Sequence, residues 1–475
     1  MNAKKLTLAV TLFGLLLFGL AGAAGAQGIE YIARPPYVQV SSNTVIPNGL
    51  PYCGTSSGLT LICYGPSFIR TAYNFPSDLD GTGQTILIVD AYGSPTIQSD
   101  LILFDTVFNI PPPPSFTIFC PEGCPPFNPN DKLHGEAGWS IETSLDVEYA
   151  HAMAPGANIV LVVAASSTGD AINVAEAKAI QKYHGSIMSQ SFGVGEFGIH
   201  GNNVQVAQAH KNYVDAQAAG ITVLASAGDF GAANAFMVGL KLIIGNVANA
   251  SFPSSDPLVL AVGGTEGNPY QALGTGSFSC AASTTCSTGL VMVSGPCDSV
   301  SLSDCTPVGY GGEQVWNEPD FAPGSTTGGA PSFLFGVPSY QDGLSLSSRT
   351  TPDVSYNAAI NGGVLVANST VLGAPAFFIV GGTSAGSPQW AAIVALANQS
   401  ASQSLGFLNP AIYKLAQSAA YANDFHDITV GNNVMAGTSV GFNAGSGWDD
   451  ASGWGTPNVT NLIPDLVACA TTACP

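Results

Sequence analysis

The sequence predicts an α/β fold built on a mostly parallel sheet with helices on both faces. Short, mostly apolar runs recur along the chain, as expected of strands that are buried on both sides. Helix-like stretches lie between several of these runs, and this alternation is typical of parallel sheets. A large packed core is also expected, because 46% of the 475 residues are hydrophobic and only 9% are charged.

Six apolar runs are predicted as strands: TILIVD (85–90), NIVLVVA (158–164), SIMSQS (186–191), TVLA (222–225), LVLAV (258–262) and FFIV (377–380). Four stretches are predicted as helices: 139–153, 172–183, 204–219 and 388–399. Functional groups in parallel sheets gather beyond the carboxyl ends of the strands. Four polar residues that follow these runs are therefore candidates: Asp90, Ser191, Asp229 and Ser384.

The first 26 residues have the pattern of an export signal. Lys4 and Lys5 precede an apolar run that ends in the small residues Ala24-Gly25-Ala26. We therefore predict a signal peptide over 1–26, a secreted protein and one large domain over 27–475. An uncleaved membrane anchor is the alternative, and the Ala-x-Ala pattern favours cleavage, after which no stable membrane association is expected.

Ten cysteines fall into five close pairs, which export predicts to be disulfides: Cys53/Cys63, Cys120/Cys124, Cys280/Cys286, Cys297/Cys305 and Cys469/Cys474. A zinc site is the weaker interpretation, because no histidine lies near a cysteine pair. Residues 264–312 interrupt the strand–helix pattern with Ser, Thr, Gly and four of these cysteines. We predict this stretch to be a disulfide-stapled surface insertion.

The charge of the chain narrows the range of partners. Its formal net charge is −20, and removal of Lys4 and Lys5 makes it more negative, so nucleic acid and acidic lipid are poor partners. A chain with few carboxylates paired to bases has little ionic structure to lose on acidification. Tolerance of acid is therefore expected.

A serine stands where the run FFIV breaks on Gly381-Gly382-Thr383 and a helix-like stretch begins. The free backbone N–H of Ser384 and the positive end of the helix would suit a nucleophile that also helps to hold an oxyanion. A plain helix N-cap is the commoner role of a serine at such a position. This stretch alone leaves both interpretations open.

Carboxylates offer a base for such a serine, since none of the six histidines lies in a glycine-rich histidine motif. Glu142 and Asp146, spaced i and i+4, would lie on one helix face, where repulsion in a buried site raises the pKa of one of them. A solvated helix face is the alternative. Asp229 follows a buried strand in a glycine-bounded turn, where an aspartate commonly bonds its own backbone.

The motifs, taken in order, resemble those of the sedolisin family of serine-carboxyl peptidases. They are TILIVDAYG, IETSLDVEYAHAMAPGANI, SQSFG, ASAGDFG, SFPSSDPLVLAVGGT, EQVWNE, PDVSYNA and GGTSAGSPQWAAI. Each motif is weak by itself, whereas the ordered set is highly specific. The resemblance implies a subtilisin-like fold and a peptidase catalytic domain over 27–475 that cleaves proteins or peptides.

The resemblance also implies residue roles. Ser384 matches the nucleophile, Glu142 the base that takes its proton, and Asp146 the carboxylate that supports Glu142. Asp229 matches an oxyanion-hole aspartate that must be protonated to donate a hydrogen bond, so activity is expected below neutral pH. Asp90 falls where some members have a glutamate that extends the hydrogen-bond chain from the base.

One Ca²⁺ ion is implied in the region 420–460. The ligands that match the family motif are Asp427 and the Ile428 carbonyl in FHDIT, and the Gly445 and Gly447 carbonyls and Asp449 in AGSGWD. Carboxylate and carbonyl oxygens suit a hard cation. Two unrelated turn aspartates are the alternative.

One departure from the family pattern concerns activation. Family members usually carry a long N-terminal pro-domain, whereas only about sixty residues separate the predicted signal cleavage site from TILIVD. Folding assistance and inhibition before export are therefore expected to be absent, supplied separately or unnecessary.

Two rival functions stay open at this point. A subtilisin-type hydrolase would use Asp90, His134 and Ser384, although Asp229 stands where subtilisins have a neutral asparagine. A catalytically silent secreted scaffold would keep only the fold. Endopeptidase and tripeptidyl-peptidase action are not separated by the sequence, and a monomer is expected.

Overall fold

The computed structural model describes residues 28–40, 53, 55–56, 59–131, 135–199, 203–238, 241–268, 279–298, 304–319, 321, 325–472 and 474–475. An eight-stranded sheet forms the centre of the fold. Its strands are β1 Thr85–Ala91, β2 Phe116–Phe119, β3 Asn158–Ala164, β4 Ile187–Gln190, β5 Thr222–Ser226, β6 Leu260–Gly267, β7 Glu313–Val315 and β8 Val354–Asn357. They lie in the order β7–β6–β5–β4–β1–β3–β2, with β8 also paired to β6. Only β7 runs antiparallel to its neighbour, which confirms the mostly parallel sheet.

Helices cover both faces of this sheet, as predicted. They are α1 Pro66–Ala72, α2 Ile97–Phe108, α3 Glu136–Met153, α4 Gly169–Lys182, α5 Glu196–Ile199, α6 Asn203–Ala218, α7 Gly386–Ala401, α8 Asn409–Ala416, α9 Tyr421–Asp424 and α10 Val459–Thr471. Among the described residues, 3₁₀ turns lie at Gly231–Ala233, Ser339–Gln341 and Thr383–Ala385. All four predicted helices are present as α3, α4, α6 and α7.

The alternation of side chains along β1 explains why the predicted strands are mostly apolar. Ile86 and Ile88 belong to the core that also contains residues of α3 and α7. Leu87 and Val89 belong to the second core, together with residues of α4 and α6. Because successive strand residues point to opposite faces, a strand covered on both sides has no place for a solvated residue.

The run FFIV lies in a different sheet from the one expected. It forms the strand Phe377–Val380, which pairs antiparallel with both Tyr37–Gln39 and Gly363–Ala367. Cys63–Tyr64 completes this four-stranded sheet. Membership of the main sheet was therefore a wrong prediction, because a short apolar run does not reveal which neighbouring strand completes its hydrogen bonds.

The remaining strands form small sheets: Thr55–Ser56 with Leu59–Thr60, Val194–Gly195 with Ser251–Phe252, Ala235–Val238 with Lys241–Ile244, Ser279–Cys280 with Cys297–Asp298, Thr285–Ser287 with Val291–Ser294 and Thr306–Tyr310, and Phe425–His426 with Thr456–Pro457. All five predicted disulfides are present. No helix within the described ranges is long and apolar enough to cross a membrane. The predicted signal peptide lies outside those ranges.

The predicted insertion 264–312 differs from a plain surface loop in two ways. Its first four residues continue β6 as far as Gly267. Among its later residues, Leu290 and Val293 are buried in the core, and the Tyr64 hydroxyl donates to the Thr288 carbonyl at 2.9 Å. This stretch therefore contributes to packing beside α1.

Candidate active site

Ser384 lies in a 3₁₀ turn between the strand Phe377–Val380 and helix α7. It is 5% exposed, and its hydroxyl oxygen lies 3.4 Å from the Ser191 carbonyl oxygen at the end of β4. Helix α7 begins two residues later, at Gly386, and no side chain caps it. The helix-cap interpretation of Ser384 is therefore wrong, and its hydroxyl faces the end of the main sheet.

Three buried carboxyl groups lie beside this serine. Glu142 and Asp146 lie one turn apart on α3, Asp90 lies in β1 near its end, and all three are 0% exposed. Each has one hydroxyl alongside: Ser384 beside Glu142, Ser191 beside Asp146 and Thr143 beside Asp90. No carboxyl oxygen of the three makes a hydrogen bond of ordinary geometry to the described part of the chain. The alternative of a solvated helix face is wrong.

Burial makes this cluster difficult to ionise. It raises the pKa of Glu142 well above its usual range, the charges of Asp146 and Asp90 raise it further, and the Ser384 hydroxyl acts in the opposite direction. Burial and the charge of Asp90 likewise raise the pKa of Asp146 well above its usual range. Burial raises the pKa of Asp90 to about 7. In acid, therefore, the cluster retains protons that exposed carboxylates would release.

Asp229 follows β5 and is tied to the turn that carries Ser384. Its Oδ1 accepts hydrogen bonds from the backbone N–H and the hydroxyl of Thr383, both at 2.8 Å. Burial raises the pKa of Asp229 to about 6, and the hydrogen bonds from Thr383 partly oppose this rise. The alternative of an aspartate that bonds its own turn is therefore wrong, because both side-chain bonds reach residue 383.

Gly382 is required by this arrangement. Its φ is +96°, in the region that favours glycine, and an added Cβ would lie 2.7 Å from Asp229 Oδ2. Ser384, Thr383, Asp229 and Ser191 also line a common cavity. The structure thus brings the predicted nucleophile, its predicted base and the predicted oxyanion group to one site.

Sequence reasoning missed Thr383 as the residue that fixes Asp229, and it missed Thr143 as the neighbour of Asp90. The Gly-Gly-Thr-Ser stretch marks a strained turn, which is the available signal for Thr383. Nothing in the local sequence links Thr143 to Asp90. In the alternative subtilisin-type triad, Asp90 lies in the cluster of buried carboxyl groups beside Glu142 and Asp146. The histidine of that triad, His134, lies outside the described residues.

The predicted calcium ligands lie in neighbouring loops. The backbone N–H of Gly447 donates to both carboxylate oxygens of Asp427 at 3.1 Å. The N–H of Gly445 donates to Asp449 Oδ2 at 2.8 Å. Two carboxylates from separate stretches of chain are thereby held beside the same glycine-rich loop, and no cluster of three or more His, Cys, Asp or Glu suited to a metal occurs in the described chain.

Residues 134–455 match the model of the Subtilase family, so the chain belongs to the subtilase family. Kumamolisin from Bacillus sp. (strain MN-32) is 32% identical over 426 residues, which cover 87% of this chain and 65% of that protein. Tripeptidyl-peptidase 1 from Canis lupus familiaris is 29% identical over 351 residues, covering 70% of this chain and 52% of that protein.

A solved structure of Pseudomonas sedolisin, described as a serine-carboxyl proteinase in complex with two molecules of pseudo-iodotyrostatin, matches with a TM-score of 0.66 and 25% identity. The match covers 85% of this chain and 98% of that chain. These relatives confirm the predicted resemblance to sedolisins and the predicted fold, and they agree with the predicted class, a serine-type peptidase. The chain spans less than two thirds of the length of the two curated relatives.

Proposed function

We propose that the protein is a secreted serine-carboxyl endopeptidase that hydrolyses protein or peptide substrates in acid. The observation that carries the proposal is that the Ser384 hydroxyl lies alongside the buried Glu142 carboxyl, while Asp229 accepts hydrogen bonds from the adjacent Thr383. Five disulfides suit an exported protein.

The Ser384 hydroxyl oxygen attacks the carbonyl carbon of the peptide bond, and Glu142 accepts its proton. Asp146 supports Glu142 and spreads its charge. The tetrahedral oxyanion receives hydrogen bonds from the Ser384 backbone N–H and from the protonated carboxyl of Asp229. Glu142 then gives its proton to the leaving amine, and water hydrolyses the acyl-enzyme by the reverse sequence, with Glu142 again as base.

The electrostatics of the site explain why the reaction is expected to be faster in acid. Glu142 must be ionised to accept the proton of Ser384, and protonated Asp146 and Asp90 leave that charge without repulsion. At higher pH the cluster gains repelling charges, and Asp229 loses its proton near a pH of about 6. An ionised Asp229 would repel the oxyanion, so the rate falls as the pH rises.

We also propose that the loops of 420–460 bind one Ca²⁺ ion. Asp427 and Asp449 supply carboxylates, and Ile428, Gly445 and Gly447 supply carbonyls, so the donor set consists of oxygen alone and fits a hard cation. When bound, the ion would neutralise the two carboxylates and join the loops that carry them. Its contribution is therefore to stability.

Digestion of a denatured protein at about pH 4, within the range where carboxylates titrate, tests the proposed activity. The wild type should cleave it, Ser384→Ala should not, and the exposed control Ser347→Ala should behave as the wild type does. Internal cleavages in the product map indicate an endopeptidase, and stepwise release of tripeptides indicates a tripeptidyl-peptidase. Equal activity in Ser384→Ala and the wild type would contradict the proposal.

A further inference from the structure

A second cavity lies beside β6 and β7, apart from the one that contains Ser384. Its volume is about 320 Å³, within the range of about 300–1,000 Å³ that is usual for sites of small organic groups. We name it the Glu266 cavity. Its polar lining includes Glu266, Gln314, Asn317 and Asn432, and its apolar lining includes Val434 and Ala436.

The carboxyl of Glu266 is the charged group of this cavity. Glu266 is 1% exposed, and its Oε1 accepts a hydrogen bond from Gln314 Nε2 at 2.8 Å. Its Oε2 is buried without a hydrogen-bond partner in the described part of the chain. Because a buried oxygen without a partner costs free energy, this atom is the place where a donor from a ligand would bind. None of the described residues that line the cavity is basic.

A second buried carboxyl adds to the negative character of this region. Glu318 accepts hydrogen bonds from Trp316 Nε1 at 2.8 Å and from the Asn361 N–H at 2.9 Å. Burial raises the pKa of Glu266 well above its usual range, the charge of Glu318 raises it further, and the hydrogen bond from Gln314 acts in the opposite direction. A cation beside Glu266 would favour its ionised form.

The other carboxyl of this part of the sheet faces away from the cavity. Glu313 precedes Gln314 in β7, and successive strand residues point to opposite faces. Its Oε1 accepts a hydrogen bond from the Tyr73 hydroxyl at 2.7 Å. Glu318 is therefore the titratable neighbour that acts on Glu266.

Strand β6 places Glu266 close to the turn that carries Ser384. Gly264 lies two positions before Glu266, and a Cβ added to it would lie 3.2 Å from Thr383 Cγ2. Side chains two positions apart on a strand share a face and are separated by about 6–7 Å. Glu266 therefore lies further along the face of β6 that contacts residue 383.

The opposite wall of the cavity is joined to the oxyanion group. Asn317 Oδ1 accepts a hydrogen bond from the Thr326 hydroxyl at 3.0 Å. The Thr326 N–H in turn donates to the Asp229 carbonyl at 3.2 Å. The Glu266 cavity is thus a neighbour of the catalytic site, at the distance of a substrate side chain rather than of the reacting bond.

The shape and the polarity of the cavity indicate the kind of group that it would hold. A lysine or arginine side chain has an apolar stem, which would pack against Val434 and Ala436, and a charged end, which would donate to Glu266 Oε2. A bare metal ion fits less well, because the cavity is about ten times the volume of one water in the liquid. Glu266 is also the one carboxylate among its described lining residues.

We propose that the Glu266 cavity is a subsite for a lysine or arginine side chain of the substrate, and that Glu266 receives the charge of that side chain. This inference rests on the proposed function, because a substrate side chain enters the cavity only while its backbone lies at Ser384. Glu266 then determines specificity and takes no part in the proton transfers.

Paired peptides that differ only in lysine against norleucine test the subsite. The pair is placed in turn at each of the positions around the scissile bond. At one position kcat/KM at about pH 6 should be at least about tenfold higher for lysine, as expected of a hydrogen bond between charged groups. Glu266→Gln should lower this ratio to about one, and the exposed control Glu122→Gln should keep it. The ratio compares two substrates on one protein, so a loss of folded protein cancels.

The pH dependence of the same ratio is a second test. Below its raised pKa, Glu266 holds a proton that the lysine side chain must displace. The preference for lysine in the wild type should therefore rise with pH, by up to about tenfold per pH unit for one displaced proton. In Glu266→Gln the ratio should not change with pH. A lysine preference that persists in Glu266→Gln would assign it to another residue and overturn the proposal.

Ala436 offers a test that leaves the buried carboxyl in place. It is exposed at the rim of the cavity. Ala436→Lys should lower the ratio of lysine to norleucine, and Ala436→Glu should raise it, each by about threefold, because an exposed charge acts weakly at this range. Equal ratios in these two variants would overturn the proposal.

Peptide binding to Ser384→Ala separates this proposal from the proposed function. In fluorescence anisotropy the labelled lysine peptide should bind more tightly than the norleucine peptide, and adding Glu266→Gln should remove the difference. Equal binding and equal kcat/KM at every position, in a wild type that digests denatured protein, would overturn the subsite and leave the peptidase. Tighter lysine binding that depends on Glu266, in a wild type that cleaves no peptide, would support the cation site and overturn the peptidase.

Discussion

Replacing Asp90 with asparagine is expected to make the stability of the protein less dependent on pH. Asp90 is fully buried in β1, and burial raises the pKa of its carboxyl from 3.8 to about 7. An unfolded aspartate has a pKa of about 3.9. Between these two values the native state holds a proton that the unfolded chain has released, so the free energy of unfolding falls as the pH rises.

The size of this effect follows from the shift. About three pKa units at about 1.36 kcal/mol each correspond to a loss of about 4 kcal/mol between pH 4 and a pH above 7. Asparagine has a similar shape and stays neutral, so Asp90→Asn should lose about 4 kcal/mol less than the wild type over that interval.

Denaturant unfolding at about pH 4 and about pH 8, on either side of the shifted pKa, measures the difference. The exposed Asp342→Asn serves as the control and should keep the pH dependence of the wild type. If Asp90→Asn and the wild type lose the same free energy of unfolding, Asp90 is not the titrating group.

The same variant separates two catalytic mechanisms. In the serine-carboxyl mechanism Asp90 is neutral in acid, so Asp90→Asn should keep kcat/KM at about pH 4 within tenfold of the wild type. A subtilisin-type mechanism with His134 would instead need Asp90 ionised. Loss of all activity in Asp90→Asn at every pH, with the fold intact, would favour that mechanism.

Three further outcomes are expected. Asp229→Asn keeps a hydrogen-bond donor at every pH, so the fall of kcat/KM near a pH of about 6 should move upward; a fall at the same pH would exclude Asp229 as the titrating donor. Gly382→Ala should lower kcat/KM at least a hundredfold, because its Cβ would meet Asp229 at 2.7 Å in a φ region unfavourable for alanine; near-normal activity would contradict the geometry. Adding Ca²⁺ to metal-free protein should raise the Tm of the wild type but not of Asp427→Asn, and equal shifts would exclude that ligand.

The main sheet could be predicted because its strands are buried on both faces, and in NIVLVVA every residue after Asn158 is buried. The sheet that contains the strand leading to Ser384 could not be predicted, since FFIV would be equally apolar in either sheet. Only the pairing with Gly363–Ala367 and Tyr37–Gln39 assigns it to the smaller sheet. Local patterns thus specify a strand without specifying its neighbours.

In the candidate site, too, local sequence patterns predict some features and not others. Glu142 and Asp146 were predicted to share a helix face from their spacing, and their burial follows from the packing of α3 against α7. The bond between Thr383 and Asp229 joins residues 154 positions apart, and no local pattern encodes it.

The pH dependence of kcat/KM for the wild type and for Glu142→Gln tests the central claim most directly. We predict a maximum at about pH 4 for the wild type, where carboxylates titrate. Glu142→Gln cannot accept the proton of Ser384, and its kcat should fall by about 10²–10⁴. A maximum at about pH 7 to 8, with Glu142→Gln as active as the wild type, would contradict the claim that a carboxylate is the base.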